Sequence, residues 1–341
     1  MYLNERYSRQ ELFGPIGKEG QDKISSKHVL IIGAGALGTG VAEALVRAGV
    51  GKLTIADRDY VEWSNLQRQQ LYAEEDAQKR LPKAVAAEKR LRSINSSVTI
   101  EAMVLDVSVE EVEQMIDKVD LIIDATDNFD IRMIINDISQ KYRIPWIYGA
   151  CVGSYGISYT ILPGETPCLH CLLETVPMGG VTCDTAGIIS PAVQMVVAYQ
   201  TAEALKILVE DKQSLRKKLV SFDLWKNQHT AIQVDKLKKE DCPSCGEAPS
   251  HPFLSYSNQT KTAVLCGRDT VQIRPSKQKK RDLNELAERL SRQDGKVSQN
   301  PYLLSFSIGD FRLVIFQDGR VLVHGTQDIS EAKTLYHRYV G

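Results

Sequence analysis

Short apolar runs alternate with amphipathic stretches over the first 150 residues of the chain. HVLIIG (28–33) has the length and composition of a buried strand, and ALGTGVAEALVRAG (36–49) has helical spacing and ends at a glycine. Strands that alternate with helices indicate βαβ units, so we predict a mainly parallel sheet covered by helices. The further predicted elements of this part are strands at 52–57, 98–105, 119–126 and 144–150 and helices at 83–94 and 109–118.

The pattern changes after residue 150. YGISYTILP (155–163) and KLVSFDLW (218–225) have the length of strands, and a long helical pattern covers residues near 191–210 between them. We expect these two strands to extend the sheet in the antiparallel direction. The predicted fold class is therefore α/β, with a Rossmann-like, mainly parallel sheet and an antiparallel extension.

The composition shifts again after CPSCG (242–246), where residues 247–260 form a linker-like run with Pro, Ser and Asn. Further on, the Asp-Gly pair in QDGR (317–320) predicts a tight hairpin between two strands. We therefore predict two domains, the α/β domain at 1–250 and a small α+β domain at 251–341. The predicted elements of the second are strands at 262–266, 270–275, 303–309, 311–316 and 320–325 and helices at 281–292 and 328–339.

Composition and charge exclude several classes of partner. The formal net charge of −1 gives no overall attraction to nucleic acid or to an anionic membrane surface. No apolar run reaches the ~18 residues of a membrane span, and MYLNERYSRQ at the start lacks the apolar core of a signal peptide. We expect a cytoplasmic protein with no nucleic-acid partner and no membrane partner.

The cysteines form a pattern of their own. CLHC (168–171) and CPSC (242–245) are two C-x-x-C pairs, which together supply the four thiolates of a closed tetrahedral zinc site. A redox pair would need one of them and leave the other unexplained, and two unrelated pairs are the remaining alternative. The predicted zinc ligands are Cys168, Cys171, Cys242 and Cys245.

A glycine-rich loop connects the first predicted strand to the first predicted helix. In GAGALG, Gly33, Gly35 and Gly38 allow a tight turn and a close approach of the backbone to a phosphate at the helix amino terminus. Asp57 ends the next strand, where a carboxylate accepts hydrogen bonds from ribose hydroxyls. These residues predict a nucleotide site but do not distinguish NAD from ATP.

Cations after this loop favour a triphosphate. SNLQRQ (64–69) supplies Asn65 and Arg68, and Lys83 follows at a predicted helix start. A nucleotidyl-transfer site needs fixed cations because negative charge develops on the transferring phosphorus and on leaving pyrophosphate, whereas a dehydrogenase does not. Either cation taken alone is more typical of a protein surface.

DATDN (124–128) lies at the carboxyl end of a predicted strand, where open α/β sheets bind ligands. Asp124 or Asp127 could hold Mg²⁺, which prefers oxygen ligands and bridges phosphates. One of the two, with Asp127 the candidate, could instead cap the helix that begins at FDIRMIIND.

Three cysteines remain. Cys183 lies in GGVTCDTAG, a loop-like segment in which an accessible thiol can act as a nucleophile or can be unreactive. Cys151 and Cys266 belong to strand patterns, and we expect both to be buried.

Taken in order, these motifs are similar to those of the ThiF/MoeB/HesA family, bacterial relatives of the ubiquitin-activating enzymes. The resemblance covers roughly residues 4–250. It implies that Mg-ATP is used to adenylate the C-terminal glycine of a small ubiquitin-fold sulfur carrier protein that ends in Gly-Gly, before thiocarboxylate formation in thiamine or molybdopterin biosynthesis. The motifs that carry it are RYSRQ, GAGALG, SNLQRQ, LPK, DATDN, the two C-x-x-C pairs and TCDTAG.

The resemblance also implies roles for single residues. Arg68, Lys83 and Asp127 would act in catalysis, the cations on the phosphates and Asp127 on Mg²⁺ or in positioning the reacting groups. Cys183 would bond to the carrier, carry sulfur or be dispensable. Arg9 in RYSRQ would reach the triphosphate of the partner subunit, which implies a homodimer with shared sites. The residues implied to line the nucleotide are Gly33, Gly35 and Gly38, with Asp57 on the ribose and Asn65 on the phosphates.

The chain departs from some relatives because its C-terminal extension is too short for a rhodanese domain. We therefore expect sulfur to come from a separate donor protein. The competing hypotheses are an NAD-dependent oxidoreductase, an enzyme that adenylates a different carboxylate, and a scaffold that keeps the fold without the reaction.

Overall fold

The computed structural model describes residues 3–173, 186–255, 262–264, 269–273 and 281–340. They form two compact units. Unit 1 contains the described residues up to 255 other than 79–81, and unit 2 contains residues 79–81 and the described residues from 262 onwards.

Unit 1 is built on an eight-stranded sheet. Its strands are β1 (His28–Ile32), β2 (Lys52–Asp57), β3 (Thr99–Val104), β4 (Leu121–Asp124), β5 (Trp146–Val152), β6 (Tyr155–Ile161), β7 (Lys218–Asp223) and β8 (Gln228–Gln233), in the order β3-β2-β1-β4-β5-β6-β7-β8. Strands β1 to β5 pair in parallel and β5 to β8 pair antiparallel. The predicted mainly parallel sheet with an antiparallel extension is confirmed.

The strand order reverses at β1, which pairs with β2 on one side and with β4 on the other. At such a switch point the connections leave the sheet in opposite directions and open a crevice at the carboxyl ends of the strands. The residues that follow β1, β2 and β4 therefore share one edge of the sheet, and every predicted loop of the nucleotide site except the Arg9 segment starts there.

The helices of unit 1 follow the predicted alternation. Val29, Leu30 and Ile31 of β1 are fully buried, as expected of a central strand with both faces covered. No helix in the described part of the chain is long and apolar enough to cross a membrane. The helices are α1 (Leu3–Arg6), α2 (Ser8–Glu11), α3 (Gly17–Ser26), α4 (Ala36–Ala48), α5 (Glu74–Gln78), α6 (Lys83–Ile94), α7 (Val109–Met115), α8 (Phe129–Tyr142), α9 (Leu169–Leu173) and α10 (Ser190–Leu208).

Unit 2 is an α+β structure with a six-stranded antiparallel sheet. Two helices pack against one face through an apolar core that includes Val271, Leu286, Leu313 and Tyr336. The hairpin predicted at 317–320 joins the antiparallel strands β13 (Phe311–Phe316) and β14 (Val321–His324). The elements are β9 (Thr262–Val264), β10 (Thr270–Ile273), α11 (Leu283–Leu290), β11 (Lys296–Gln299), β12 (Leu303–Ile308), β13 (Phe311–Phe316), β14 (Val321–His324) and α12 (Ile329–Tyr339).

Candidate nucleotide site and cysteine cluster

The glycine loop lies tightly against the end of β4. Gly33 has φ +102°, and a Cβ at this position would lie 2.4 Å from the carbonyl oxygen of Ala125. At Gly38 a Cβ would lie 1.9 Å from the carbonyl oxygen of Gly33. Both positions therefore require glycine, one for its backbone conformation and contact and the other for close packing of helix against loop.

Gly35 has a different environment. It is the N-cap of α4, and no side chain caps this helix end. The nearest described atom to a Cβ built there is Nε2 of Gln69, at 4.0 Å. The first amide groups of α4 thus receive no side-chain cap from the described residues, and an anion at this end is favoured by the N–H groups and by the helix dipole.

Asp57 fastens the end of β2 to the glycine loop. Its side chain is 8% exposed, and its two carboxylate oxygens accept hydrogen bonds from the backbone N–H of Ala34 and of Asp59, both at 2.6 Å. Burial raises the pKa of Asp57, and the positive charge of Lys83 opposes that rise. Each oxygen keeps a lone pair for a ligand hydroxyl.

Lys83 is a buried cation, although lysine at a helix start is typical of a surface. It is the first residue of α6 and is 4% exposed. Its Nζ lies 3.4 Å from a carboxylate oxygen of Asp59, and its backbone N–H donates to the carbonyl of Asp59 at 2.8 Å. The charge of a buried lysine is usually compensated, and here Asp59 and Asp57 provide the compensation.

Gln69 lies beside the glycine loop, and Gln69 and Asn65 each have a buried amide atom without a hydrogen-bond partner among the described residues. Asn65 is 1% exposed, and its Oδ1 accepts from the backbone N–H of Glu62 at 3.0 Å. Among the described residues no group hydrogen-bonds to Nδ2 of Asn65 or to Oε1 of Gln69, which is 4% exposed. Leaving a buried polar atom unpaired costs roughly 1–3 kcal/mol, so a donor and an acceptor stand ready for a ligand.

The two predicted arginines lie in different places. Arg68 is half-buried beside Asn65, and its guanidinium donates to the carbonyl of Ser64 at 2.8 Å. Arg9 is exposed on α2. The neighbouring Gln10 donates to the carbonyl of Ala48, the last residue of α4, at 3.0 Å. Arg9 is therefore near the carboxyl end of α4, about 20 Å along this helix from the glycine loop at its amino end.

The DATDN loop separates its two aspartates by burial. Asp124 is fully buried and accepts from Nε of Arg132 at 2.9 Å. Burial raises the pKa of Asp124, and the charge of Arg132 opposes the rise. Asp127 is exposed, and Asn128, not either aspartate, caps α8 by accepting from the backbone N–H of Asp130 at 2.8 Å. The N-cap hypothesis for an aspartate was wrong because the asparagine one position later makes that bond.

Three polar residues of this site were not predicted from the sequence. They are Gln69, Arg58 and Arg132. The pKa of Arg58 is raised above its ordinary value. Burial acts to lower this pKa, but nearby carboxylates, including those of Asp106 and Asp127, raise it by more. Arg132 donates to the carbonyl of Thr126 at 2.6 Å and so holds the loop before Asp127. Arg132 could have been found from its spacing of four residues after Asn128, which places both on one face of α8.

The three cysteines outside the two C-x-x-C pairs are Cys151, Cys183 and Cys266. Cys183 and Cys266 lie outside the described residues. Cys151 is part of β5 and is half-buried, so the expectation that it is buried was wrong. It lies at the carboxyl end of the strand, where the sheet face is less covered.

The four predicted metal ligands converge. The sulfur atoms of Cys168, Cys171, Cys242 and Cys245 all lie within 4.8 Å of one another, and three closest pairs are 3.5, 3.7 and 3.9 Å apart. A tetrahedron with a metal–sulfur distance of about 2.3 Å has sulfur–sulfur edges of about 3.8 Å. The observed spacing therefore fits one zinc ion at the centre. Hydrogen bonds that the Cys168 thiol makes with the sulfur atoms of Cys171 and Cys245, together with burial, raise the pKa of Cys168.

The second C-x-x-C turn is closed by a glycine. A Cβ at Gly246 would lie 2.4 Å from the carbonyl oxygen of Glu240, and the Gly246 N–H donates to the carbonyl of Cys242 at 2.8 Å. Ser244 and His170, one from each pair of cysteines, contact each other with 3.1 Å between Oγ and Nδ1. The two turns thus meet through side chains as well as through sulfur.

Comparison with known proteins gives one family and several relatives. The model of the ThiF family matches residues 7–244. The sulfur carrier protein ThiS adenylyltransferase of Bacillus subtilis (strain 168) is 57% identical over 339 residues, 99% of this chain and 100% of the relative. The molybdopterin-synthase adenylyltransferase of Salmonella typhimurium is 31% identical over 243 residues, 71% of this chain and 96% of the relative.

A second sulfur carrier relative and one solved structure complete the comparison. The sulfur carrier protein adenylyltransferase of Thermus thermophilus is 34% identical over 257 residues, 73% of this chain and 93% of the relative. The crystal structure of E. coli MccB with ATP has a TM-score of 0.61 at 21% identity and covers 71% of this chain and 74% of that one. At this identity the match establishes a shared fold and nothing more.

Proposed function

The chain belongs to the ThiF family, and from this premise we propose that it is an ATP-dependent adenylyltransferase for a small ubiquitin-fold sulfur carrier protein. The proposed substrate is the C-terminal glycine of the carrier, which ends in Gly-Gly. The names of the Bacillus subtilis and Thermus thermophilus relatives support this substrate class. The first of these names favours a ThiS-like carrier and hence thiamine biosynthesis over the molybdopterin pathway.

The observation that carries the proposal is the buried Lys83 beside the open amino end of α4. A hydride-transfer site needs little positive charge beyond that which binds the pyrophosphate of the dinucleotide, whereas a triphosphate needs several cations. In the proposed reaction a carboxylate oxygen of the carrier attacks the α-phosphorus of ATP. The bond from that phosphorus to the bridging oxygen breaks, pyrophosphate leaves and an acyl-adenylate forms.

We assign the nucleotide-binding roles as follows. Gly33, Gly35 and Gly38 form the loop under the phosphates, and Asp57 accepts from the ribose hydroxyls. Asn65 donates its unused Nδ2 hydrogens to a phosphate oxygen. Arg68 and Lys83 stabilise the charge that develops on the transferring phosphorus and on pyrophosphate.

Asp127 is the proposed ligand of Mg²⁺. It is exposed in the loop after β4, at the edge where the glycine loop begins, while Asp124 is engaged by Arg132. Magnesium, when bound, would neutralise negative charge on the phosphates. Arg132 holds the loop through Asp124 and Thr126, and the positive charge of Arg58 favours the ionised Asp127 carboxylate beside it.

The four clustered cysteines are the proposed ligands of a structural zinc ion. The set of four thiolates leaves no open coordination position, which is typical of a structural and not a catalytic site. No disulfide joins the described cysteines, which is typical of a reducing compartment, so the cytoplasm is the proposed location.

Arg9 is proposed to act in the partner subunit of a homodimer. It lies about 20 Å from the glycine loop of its own chain, which no single side chain spans. Mixing separately inactive Arg9→Ala and Lys83→Ala proteins tests this. A heterodimer regains one site with intact Arg9 and Lys83, so activity of about a quarter of the wild-type value is expected from random mixing of a symmetric dimer. No recovery would mean that Arg9 serves its own chain.

The remaining assignments are also proposals. Residues 1–250 form the adenylyltransferase domain, and 251–341 form a small C-terminal α+β domain. A separate donor protein supplies the sulfur, and Cys183 is the candidate nucleophile for the carrier. Replacing Cys183 by serine while following both adenylate formation and thiocarboxylate formation separates its role from the first step.

ATP–pyrophosphate exchange is the test of the proposed function. Exchange is expected with a ThiS-like carrier and not with a carrier that lacks its terminal glycine. Exchange with a small carboxylate instead would favour a different acceptor. Tight NAD binding without exchange would favour an oxidoreductase, and neither binding nor exchange in folded, zinc-containing protein would favour a scaffold.

A further inference from the structure

Helix α8 carries buried polar residues, Asn136 and Asp137, that the proposed adenylation chemistry does not use. Asn128, Arg132 and Asn136 are spaced by four and so lie on one helical face. Asn128 caps the helix and Arg132 holds the DATDN loop. Asn136 and its neighbour Asp137 lie two turns further on and are both fully buried.

Asn136 and Asp137 accept hydrogen bonds from two backbone segments, one that contains the first cysteine pair and one that follows the second pair. Oδ1 of Asn136 accepts from the backbone N–H of Leu169 at 2.8 Å, the residue directly after Cys168. Oδ2 of Asp137 accepts from the backbone N–H of Phe253 at 2.9 Å, in the segment after the second cysteine pair. Leu169 and Phe253 belong to segments that are far apart in the chain, and both segments contact α8.

A contact between the segments closes the arrangement. The ring of Phe253 meets the ring of His170 edge to face, with centroids 5.8 Å apart. His170 lies between Cys168 and Cys171 in the sequence. A displacement of the Phe253 segment is therefore transmitted directly to the first cysteine turn.

We infer that Asn136 and Asp137 are positioning residues of the metal centre, which hold the two C-x-x-C turns at the spacing that one ion requires. The inference rests on the zinc assignment proposed above. Neither side chain touches a sulfur atom in any described contact. Residues that orient metal ligands in this way typically change metal affinity by about 10–100-fold when removed.

Release of zinc from the full-length protein to a colorimetric chelator tests the inference. Asn136→Ala and Asp137→Ala each remove one acceptor, and each is expected to accelerate release by about tenfold or more. Asp137→Asn keeps an oxygen that can accept from Phe253 and is expected to release zinc at close to the wild-type rate. Should the alanine proteins not fold, Asn136→Ser and Asp137→Ser, which are too short to reach the two amides, take their place.

Ser139 provides the matched control. It is fully buried on the same helix and donates to the carbonyl of Ile144 at 2.6 Å, in contact with neither cysteine segment in the described structure. Ser139→Ala should lower stability without accelerating zinc release. Unchanged release in the Asn136 and Asp137 variants, or equal acceleration in the Ser139 variant, would overturn the inference. Absence of zinc from the wild-type protein would instead overturn the metal assignment itself.

Discussion

The cysteine cluster and the nucleotide site differ in how complete they are in a single chain. The four sulfur atoms lie at distances that suit one ion, and the surrounding backbone and side chains hold them there. In the described part of the chain, the nucleotide site has a helix end without a side-chain cap, two buried amide atoms without partners and an exposed aspartate. The first region is organised to keep its ligand, and the second to accept and release one.

Metal removal should have the largest effect, because the four thiols lose the charge that holds them together. Zinc contributes ~10–16 kcal/mol to small zinc domains, so a loss of at least about 5 kcal/mol of stability is reasonable for unit 1. For a domain of this size that corresponds to a fall in Tm of roughly 10–20 °C. Calorimetry before and after chelation measures it.

Cys245→Ser should reproduce the effect of chelation, and Cys151→Ser, outside the cluster, should keep a full equivalent of zinc. Less than half an equivalent of zinc in the purified protein, or chelation that leaves Tm unchanged, would contradict the statement that the cysteine cluster is organised to keep its ion. The cluster would then be no more dependent on its ligand than the nucleotide site.

Lys83→Ala should have the next largest effect. Removing one electrostatic group from a transfer site typically costs ~10²–10³ in rate, and we expect that loss in carrier-dependent ATP–pyrophosphate exchange. Lys89→Ala is the control, since Lys89 is exposed on the same helix. Exchange at the wild-type rate in folded Lys83→Ala protein would remove Lys83 from the site.

The two regions should also respond differently to mild acid. Burial raises the pKa of Asp57, so this carboxyl takes up a proton at a less acidic pH than an exposed aspartate. Protonation removes an acceptor for ribose, and ATP affinity should fall as pH falls through the raised pKa, by up to about tenfold per pH unit. Titration of ATP binding between neutral and mildly acidic pH measures it.

Two controls accompany that measurement. Asp57→Asn should bind ATP weakly with a flatter pH profile. Zinc content is followed in parallel, because acid also protonates thiolates and releases metal. A fall in affinity that tracks zinc loss and persists unchanged in Asp57→Asn would place the pH dependence in the cluster.

Gln69→Met should give the smallest effect, and it separates the stability of the free protein from the stabilisation that ATP provides. The buried Oε1 without a partner costs stability in the free protein, so an apolar side chain of similar size is expected to leave stability unchanged or raise it by about 1 kcal/mol. ATP should then raise Tm less than in the wild type. A clear loss of stability in the free protein would mean that Gln69 is structural.

Much of this could be predicted from the sequence, for physical reasons. Strands such as β1 are fully buried and appear as continuous apolar runs, and the C-x-x-C spacing fixes its own geometry. Strand β8 was missed because all six of its residues are exposed, which removes the apolar signal. Asn128 and Asp127 are equally good caps in sequence, and only the folded backbone decides between them. The role of Gln69 depends on tertiary packing beside Gly35, which no local pattern encodes.

The separation of the two cysteine pairs has a consequence for folding. Cys168 and Cys242 are 74 positions apart, and the chain between them contains α10, β7 and β8. Bringing such distant segments together is entropically unfavourable in the unfolded chain, and an ion that links them removes much of that freedom, as a disulfide does. The antiparallel end of the sheet is therefore the part whose formation should depend on metal supply. Newly made chains in a zinc-poor cell should stall with the parallel half of the sheet formed and this loop still open.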